Sequence, residues 1–494
     1  MSSHLQQRQS ESQTLKQACD HCHVRKKRCD SNNPCENCQG TDLQCTYRAP
    51  KKRGPKRQQK FKDAFQAAKE QQKGYISQVP CLWGTSEFQA SPLLSDEIIQ
   101  SCLDAFFAYK YPIMPILNRG EVCARLPHLH ASPTDYSLIT ALCAVVTLQT
   151  EISPPSSLRA SYDAPRIDFV PSADFFISET CRARKYCNYT DNPSLATVQT
   201  SFFLFAIFFC LGKDNSAWFY IRESITVLQS LRLHEEATYI TMTDPRYATN
   251  CRRTFWLLFV TERDYALQRH CSTLILSTTI YLPTVEPGPE TPILRGFLEL
   301  IALFQNFDEA ILSLWNSSTD YSTPLESLAK LQDSLQHATP HMSETTEAQK
   351  ADLLVSRQWL KTIVWQLCVS RGLLSSKSAT ECMSFHYPVT IAEEIILASQ
   401  LLPFEAFKAN RAGISEKIFD IGCSLADALQ VHSNIVQSSA PEIGPGGYLM
   451  ELVQILGMAG GKNSKYLRLL VARVDECLGA KRGSLFSSSC LHGV

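Results

Sequence analysis

The sequence lacks a hydrophobic run long enough to span a membrane. Its longest apolar stretch, FFLFAIFFCL at 202–211, covers about half of what a bilayer-crossing helix requires and is typical of a buried core helix. The first residues, MSSHLQQRQSESQTLK, are polar and contain no apolar segment of the kind found in secretory signals. We therefore expect no membrane span, and we expect the 20 cysteines to be reduced thiols that are free to bind metal.

Signatures of catalysis are also missing. HEEAT at 234–238 lacks the second histidine of a zinc protease motif, and GMAGGKNS at 457–464 has neither the spacing nor the hydroxyl residue of a phosphate-binding loop. No G-x-S-x-G element occurs, and the 12 histidines are scattered without the spacing of a metal site. The sequence therefore predicts a protein that is not an enzyme.

Strand patterns do not stand out, and helical periodicity dominates from about Ser91 onward. In SDEIIQSCLDAFFAYKYP, Ser95 is a predicted N-cap, and apolar residues then recur every three or four positions until Pro112 blocks continuation. Similar segments lie at 218–234, 252–270 and 463–479. With 44% hydrophobic residues among 494, the chain is long enough to bury a large core.

The charges are unevenly distributed, although the formal net charge is zero. Residues 1–62 contain fourteen Lys or Arg against five Asp or Glu, so a basic head precedes an acidic remainder. No long acidic-aromatic tract identifies an activation region.

Six cysteines of this head follow the spacing C-x2-C-x6-C-x5-C-x2-C-x6-C, which is one half-site written twice. A structural zinc ion takes four ligands, so six thiolates can complete two ions if two sulfurs are shared. A segment this small has no hydrophobic core, and zinc would supply its folding free energy, on the order of 10 kcal/mol or more per ion. We expect Asp20 to cap a helix carrying 22–28, and Pro34 with its preceding asparagines to form a turn.

A disulfide framework, ordinary core cysteines and a metal-storage or redox cluster are the alternatives. The doubled spacing, the polar surroundings and the missing secretory signal disfavour the first two. A storage or redox cluster would not explain the four consecutive basic residues between the second and third cysteines.

The six-cysteine segment resembles the fungal binuclear zinc cluster of transcription factors. The resemblance implies two zinc ions, of which Cys22 and Cys29 complete one and Cys38 and Cys45 the other. The metal ligands that it implies are Cys19, Cys22, Cys29, Cys35, Cys38 and Cys45, with Cys19 and Cys35 bridging both ions.

The resemblance also implies that the first helix points its C-terminal end into the major groove at a CGG-type triplet. Arg25 and Lys26 are then the candidates for base edges, and Lys27 and Arg28 for phosphates. Charge supports this division, because a cluster with six thiolates is negative and can approach DNA only behind cations, while guanine offers two major-groove acceptors to Arg or Lys. His23 departs from the family pattern, in which many members carry arginine, and this puts one phosphate contact in question.

A basic linker follows the head. Its cations, which we assign to nuclear import and to tracking of the phosphate backbone, are Lys51, Lys52, Arg53, Lys56 and Arg57. A short helix with Phe61 and Phe65 on one side is predicted next, but it offers barely two heptads, whereas a coiled coil needs three or four. A homodimer and a monomer therefore both stay open.

The segments 218–234 and 252–270, the second including RRTFWLLFVTER, resemble the middle homology region of the same regulators, a likeness that covers roughly 95–300. Arg253, Glu262 and Arg263 are expected to form buried or half-buried ion pairs, with inducer binding as the alternative. The fourteen cysteines outside the head show no metal spacing and are interpreted as core residues.

The fold class predicted is a small binuclear zinc-cluster DNA-binding domain plus a large all-α regulatory domain. The predicted domains are a disordered N-terminus at 1–17, the zinc cluster at 18–47, a basic linker at 48–90, a helical middle homology region at 91–320, an exposed loop or hinge at 321–350 and a helical C-terminal part at 351–494.

The function predicted is a nuclear, zinc-dependent regulator of RNA polymerase II genes, which binds double-stranded DNA and works with the transcription machinery or co-regulators. We prefer an activator of a metabolic pathway or a biosynthetic gene cluster. The competing hypothesis is a ligand-sensing or protein-interaction regulator whose zinc head reads no DNA sequence.

Overall fold

The computed structural model describes residues 18–41, 44–47, 88–149, 171–275, 280–316, 325–338, 344–374, 381–431, 445–460 and 464–478. The chain divides into two compact units, Met1–Thr85 and Ser86–Val494. Helices and connecting turns make up the described residues of both units, and no strand occurs among them. This confirms the prediction of an all-α body.

The first unit contains two short helices, α1 (Asp20–Val24) and α2 (Glu36–Gln39). The helices of the second unit are α3 (Asp96–Ala105), α4 (Arg119–Arg125), α5 (Pro133–Gln149), α6 (Ala173–Arg184), α7 (Leu195–Cys210), α8 (Asp214–Ser230), α9 (Glu236–Ile240), α10 (Pro245–Arg269), α11 (Thr291–Gln305), α12 (Glu309–Asn316), α13 (Leu325–His337), α14 (Glu347–Ser370), α15 (Tyr387–Ser399), α16 (Phe404–Lys408), α17 (Arg411–Val431), α18 (Pro445–Gly460) and α19 (Lys465–Leu478).

Side-chain caps begin several of these helices. The hydroxyl of Ser95 accepts a hydrogen bond from the amide of Ile98, as the sequence predicted for the start of α3. One π-helical turn, Phe106–Lys110, extends α3 before the chain reaches Pro112. Serine also caps α6 and α7, through Ser172 and Ser194. Local sequence therefore sets where these helices start.

The core of the second unit is formed around α7 and α10. All but the last residue of the apolar stretch 202–211 lie in α7, which packs against α5 and α8. The side chains of these nine residues are buried or half-buried, whereas Leu211 is exposed. Phe255, Trp256 and Phe259 of α10 are buried in the same core. Among the described helices, none is long and apolar enough to cross a bilayer.

The structure differs from the sequence prediction at 321–350, which we expected to be an exposed loop or hinge. Helix α13 occupies its middle, with Leu328 and Leu335 fully buried, and α14 begins at Glu347 after a capping box formed by Thr346 and Gln349. Leucines at three- and four-residue intervals form a narrow buried stripe between polar residues. Because these leucines are few, the polar composition of the segment led to the prediction of a loop.

Three of the four charged residues of RRTFWLLFVTER were predicted to form ion pairs, and they are held in different ways. The guanidinium of Arg253 pairs with Glu290 at 3.2 Å, and that of Arg263 donates to the carbonyl of Phe307 at 3.0 Å. Glu262 lies 3.5 Å from Arg222 and also accepts two backbone hydrogen bonds. Their contacts within the described residues are structural.

Candidate metal centre and nucleic-acid interface

The six thiols of the head lie together. The sulfur of Cys19 is 3.6 Å from that of Cys35 and 3.7 Å from that of Cys38, and the sulfurs of Cys22 and Cys35 are also 3.7 Å apart. The thiols form two groups of four whose ligand atoms lie within 4.8 Å of one another, namely Cys19, Cys22, Cys29 and Cys35, and Cys19, Cys35, Cys38 and Cys45. Cys19 and Cys35 belong to both groups, which is the partition that the family resemblance implies.

The repeated spacing of the sequence corresponds to a structural repeat. Cys19 directly precedes α1, and Cys35 directly precedes α2. The amide of Cys19 donates to the sulfur of Cys29 at 3.5 Å, and the amide of Cys35 donates to the sulfur of Cys45 at 3.4 Å. Each half therefore directs the amide of its first cysteine at the sulfur of its third.

The N-cap of α1 differs from the prediction. The sulfur of Cys19, and not the carboxylate of Asp20, accepts the hydrogen bond from the Cys22 amide, at 3.4 Å. Asp20 is the first helical residue, and its carboxylate accepts from the hydroxyl of Thr46 at 2.9 Å, so it ties together the two ends of the head. The prediction failed because a ligand thiol occupies the capping position.

These contacts act on the ionisation of the thiols. The backbone hydrogen bond from Cys22 lowers the pKa of Cys19 to about 6, which favours the thiolate that metals bind. Burial raises the pKa of Cys22 to about 12 and also raises the pKa of Cys38. Four-thiolate sets with backbone amides directed at the sulfurs suit structural zinc, which prefers four ligands and deprotonates its thiols. The residues present therefore fit zinc.

The basic residues lie on an exposed turn that follows α1. The helix ends at Val24, Arg25 is its C-cap, and Lys26 adopts the left-handed conformation with φ of 50°. The sequence predicts a helix that continues to Arg28. Because α1 ends at Val24, Lys27 and Arg28 lie outside it. His23 and the four cations are all exposed. The turn therefore presents the cations to solvent beside the thiol cluster.

Asn37 makes a contact with this turn that no sequence pattern predicts. Its side-chain amide, on α2, donates to the carbonyl of Arg28 at 2.7 Å. The bond connects the end of the basic turn to the second half of the cluster. Nothing in the local pattern predicts it, because the two residues are nine positions apart and belong to different half-sites.

Replacing Asn37 with alanine should weaken specific DNA binding by about 0.5–1 kcal/mol, because one exposed hydrogen bond that holds the basic turn is lost. Fluorescence anisotropy with the preferred DNA site checks this. Zinc content should not change, since Asn37 is not a metal ligand. Gln39→Ala, an exposed residue on the same helix, is the control and should bind as the unaltered protein does. Equal affinity of the two variants would contradict the role of Asn37.

Several predicted features lie outside the described residues. These are the linker cations Lys51, Lys52, Arg53, Lys56 and Arg57 and the short helix expected around Phe61 and Phe65.

Two family models match the chain. Residues 17–54 match the fungal Zn(2)-Cys(6) binuclear cluster domain, and residues 103–279 match the fungal specific transcription factor domain. The chain thus contains both domains of the fungal zinc-cluster transcription factors. The two matches fall on the thiol cluster and on the helices from within α3 to the end of α10 and beyond, which are the parts of the chain whose sequence carried the resemblance.

Relatives align with most of this zinc-cluster factor. A probable sucrose utilization protein of Candida albicans is 28% identical over 84% of this chain and 80% of its own length. A maltose fermentation regulatory protein of Saccharomyces cerevisiae is 27% identical over 83% and 84%. An azaphilone cluster-specific transcription factor of Aspergillus niger is 26% identical over 63% and 68%. The similarity thus extends well beyond the head.

The function follows from these observations. The zinc-cluster factor is a DNA-binding regulator of transcription, and its head is a zinc-binding domain. Its family consists of transcription factors and not of enzymes, as the sequence predicted.

Proposed function

We propose that the head binds two zinc ions through its six cysteines and that Cys19 and Cys35 bridge them. The observation that carries this proposal is the pair of four-thiol groups that share these two residues. Zinc supplies the folding free energy that a coreless head of this size lacks. The cysteines hold the metal, and the amides of Cys19, Cys22 and Cys35 orient the sulfurs.

We further propose that Arg25 and Lys26 contact base edges of a CGG-type triplet, while Lys27 and Arg28 contact phosphates. The exposure of all four cations beside a negatively charged thiolate cluster supports this assignment. Guanine presents two acceptors to such side chains in the major groove, so a guanine-rich triplet is the expected target. Selection of bound sequences from randomised DNA tests it. Enrichment of CGG-type triplets is expected, and their spacing will distinguish a dimer from a monomer.

Alanine at Arg25 or Lys26 should reduce the preference for the selected site over random DNA by about 1–3 kcal/mol, because base contacts carry the sequence information. Lys52→Ala is the matched control, since a linker cation that meets phosphates should lower the affinity for both DNAs alike. Titration of each variant against specific and random duplexes gives both affinities. Equal losses of preference in all three variants would refute the assignment.

We also propose that the linker cations direct import into the nucleus and that the factor activates genes of carbohydrate utilisation. Basic clusters of this composition are import signals as well as phosphate contacts. The relatives named for sucrose utilization and maltose fermentation match more of the chain than the one named for an azaphilone gene cluster. Growth of a deletion strain on sucrose and maltose tests the pathway, and unchanged growth on both would exclude it.

A further inference from the structure

A cavity of about 90 Å³ lies inside the second unit. Helices α7, α10 and α11 line one side of it, and α14 together with the start of α17 lines the other. Its apolar wall includes Phe202, Phe205 and Phe209 of α7 and Phe304 of α11. The cavity thus lies between helices of the matched fungal specific transcription factor domain and helices that follow it in sequence.

Polar side chains also line this apolar space, among them Asp264, Gln268, Asp352, Asn410 and Lys417. The ammonium of Lys417 pairs with Asp264 at 3.0 Å and donates to the hydroxyl of Ser356 at 2.9 Å. The amide of Asn410 donates to Asp352 at 2.7 Å, and that of Gln268 donates to Asp264 at 3.1 Å. Ligand sites of proteins combine an apolar lining with a few such groups.

The charges of the lining do not balance. Two carboxylates, those of Asp264 and Asp352, face one ammonium, that of Lys417. Asp352 is only 4% exposed, and the donor that the structure gives it is the neutral amide of Asn410. Lys110, a buried cation, donates instead to the carbonyl of Ala409, the residue before Asn410. A buried carboxylate without a cation is costly, so the cavity favours a positive guest.

Hydrogen-bonding capacity points the same way. The carbonyl oxygen of the Gln268 side chain is buried and has no donor among the described residues. Desolvation, opposed by Lys417 and reinforced by Asp352, raises the pKa of Asp264. The cavity lining therefore contains a buried acceptor without a donor, next to two carboxylates and to aromatic rings of the kind that attract cations through their faces.

We propose that this cavity binds a small organic cation, whose ammonium group lies between Asp352, Asp264 and Gln268 and whose apolar part contacts the phenylalanines of α7. The volume corresponds to about three water molecules at roughly 30 Å³ each, which limits the enclosed part to the ammonium and a few carbons. Such a guest would touch both sets of helices and stabilise their packing.

The proposal is tested with n-butylammonium and its neutral counterpart 1-butanol, added to the zinc-loaded full chain at constant ionic strength. Saturation-transfer NMR titrations should show saturable binding of n-butylammonium and binding of 1-butanol that is about tenfold weaker or more. The reason is that hydrogen bonds between an ammonium and a carboxylate are stronger than hydrogen bonds made by a neutral hydroxyl. Binding of both probes with equal affinity, or of neither, would overturn the proposal.

Asp352→Asn should weaken n-butylammonium about tenfold, since it removes the charge but keeps an acceptor for Asn410. Asp333→Asn, in which the replaced side chain on α13 is 74% exposed, is the matched control and should bind as the unaltered chain does. Gln268→Met provides a second variant that removes the buried oxygen, and it should weaken binding several-fold. Unchanged affinity in both cavity variants would contradict the site. None of these readouts depends on DNA.

Discussion

Cys35→Ser should release both zinc ions from the head and abolish sequence-specific DNA binding, whereas Cys38→Ser should release one. The sulfur of Cys35 belongs to both groups of four thiols, while that of Cys38 belongs to one. Loss of a shared ligand leaves each group with three, and loss of Cys38 leaves one group complete. Because the metal carries the folding free energy of the head, losing both ions removes on the order of 10 kcal/mol or more per ion.

Zinc released from the purified full chain by a thiol-modifying reagent, measured against a metal indicator, checks this result. We expect two equivalents in the unaltered protein, one in Cys38→Ser and none in Cys35→Ser. Cys123→Ser, at a half-buried cysteine of α4, is the control and should retain both ions. Equal zinc content in the two head variants would contradict the sharing of Cys35. An unaltered protein with any other number of equivalents would contradict the two-ion cluster.

The arrangement of the head was largely predictable because ligand spacing determines it. Two C-x2-C pairs and two x6 intervals allow few ways to surround metal, and the thiols group accordingly. The surrounding contacts were not predictable. The Asp20 cap was wrong because side-chain preferences of ordinary helices do not anticipate a thiol at the capping position. The early end of α1 was missed because Arg and Lys have high helix propensities, so 25–28 carry no signal in the sequence that the helix stops.

In the body, strong periodicity was enough to predict α3 and most of α10, and Ser95 also marked the start of α3. Helix α13 was missed because its buried leucines are few and its other residues are typical of loops. The polar groups inside the body could not be predicted at all. Lys417 meets Asp264 across more than 150 positions of sequence, and only the packing of α17 on α10 and α14 brings them together.

Glu262 shows what such interior groups do, and Glu262→Ala should lower the free energy of unfolding of the second unit by about 3 kcal/mol or more. Its carboxylate is 1% exposed and accepts from the amides of Leu274 and Ile275 at 2.6 and 2.9 Å. The sequence predicted an ion pair, and Arg222 lies 3.5 Å away. Truncation leaves two backbone donors without an acceptor, each costing about 1–3 kcal/mol, and leaves Arg222 without its partner.

Urea unfolding followed by tryptophan fluorescence measures the effect, since five of the six tryptophans belong to the second unit. Glu262→Gln keeps one acceptor and removes the charge, so it should fall between alanine and the unaltered protein. Glu235→Ala removes a carboxylate that is 41% exposed and should change the midpoint little, because exposed ion pairs contribute at most about 1 kcal/mol. Equal urea midpoints for Glu262→Ala and Glu235→Ala would show that the hydrogen bonds from Leu274 and Ile275 to Glu262 do not stabilise the segment that follows α10.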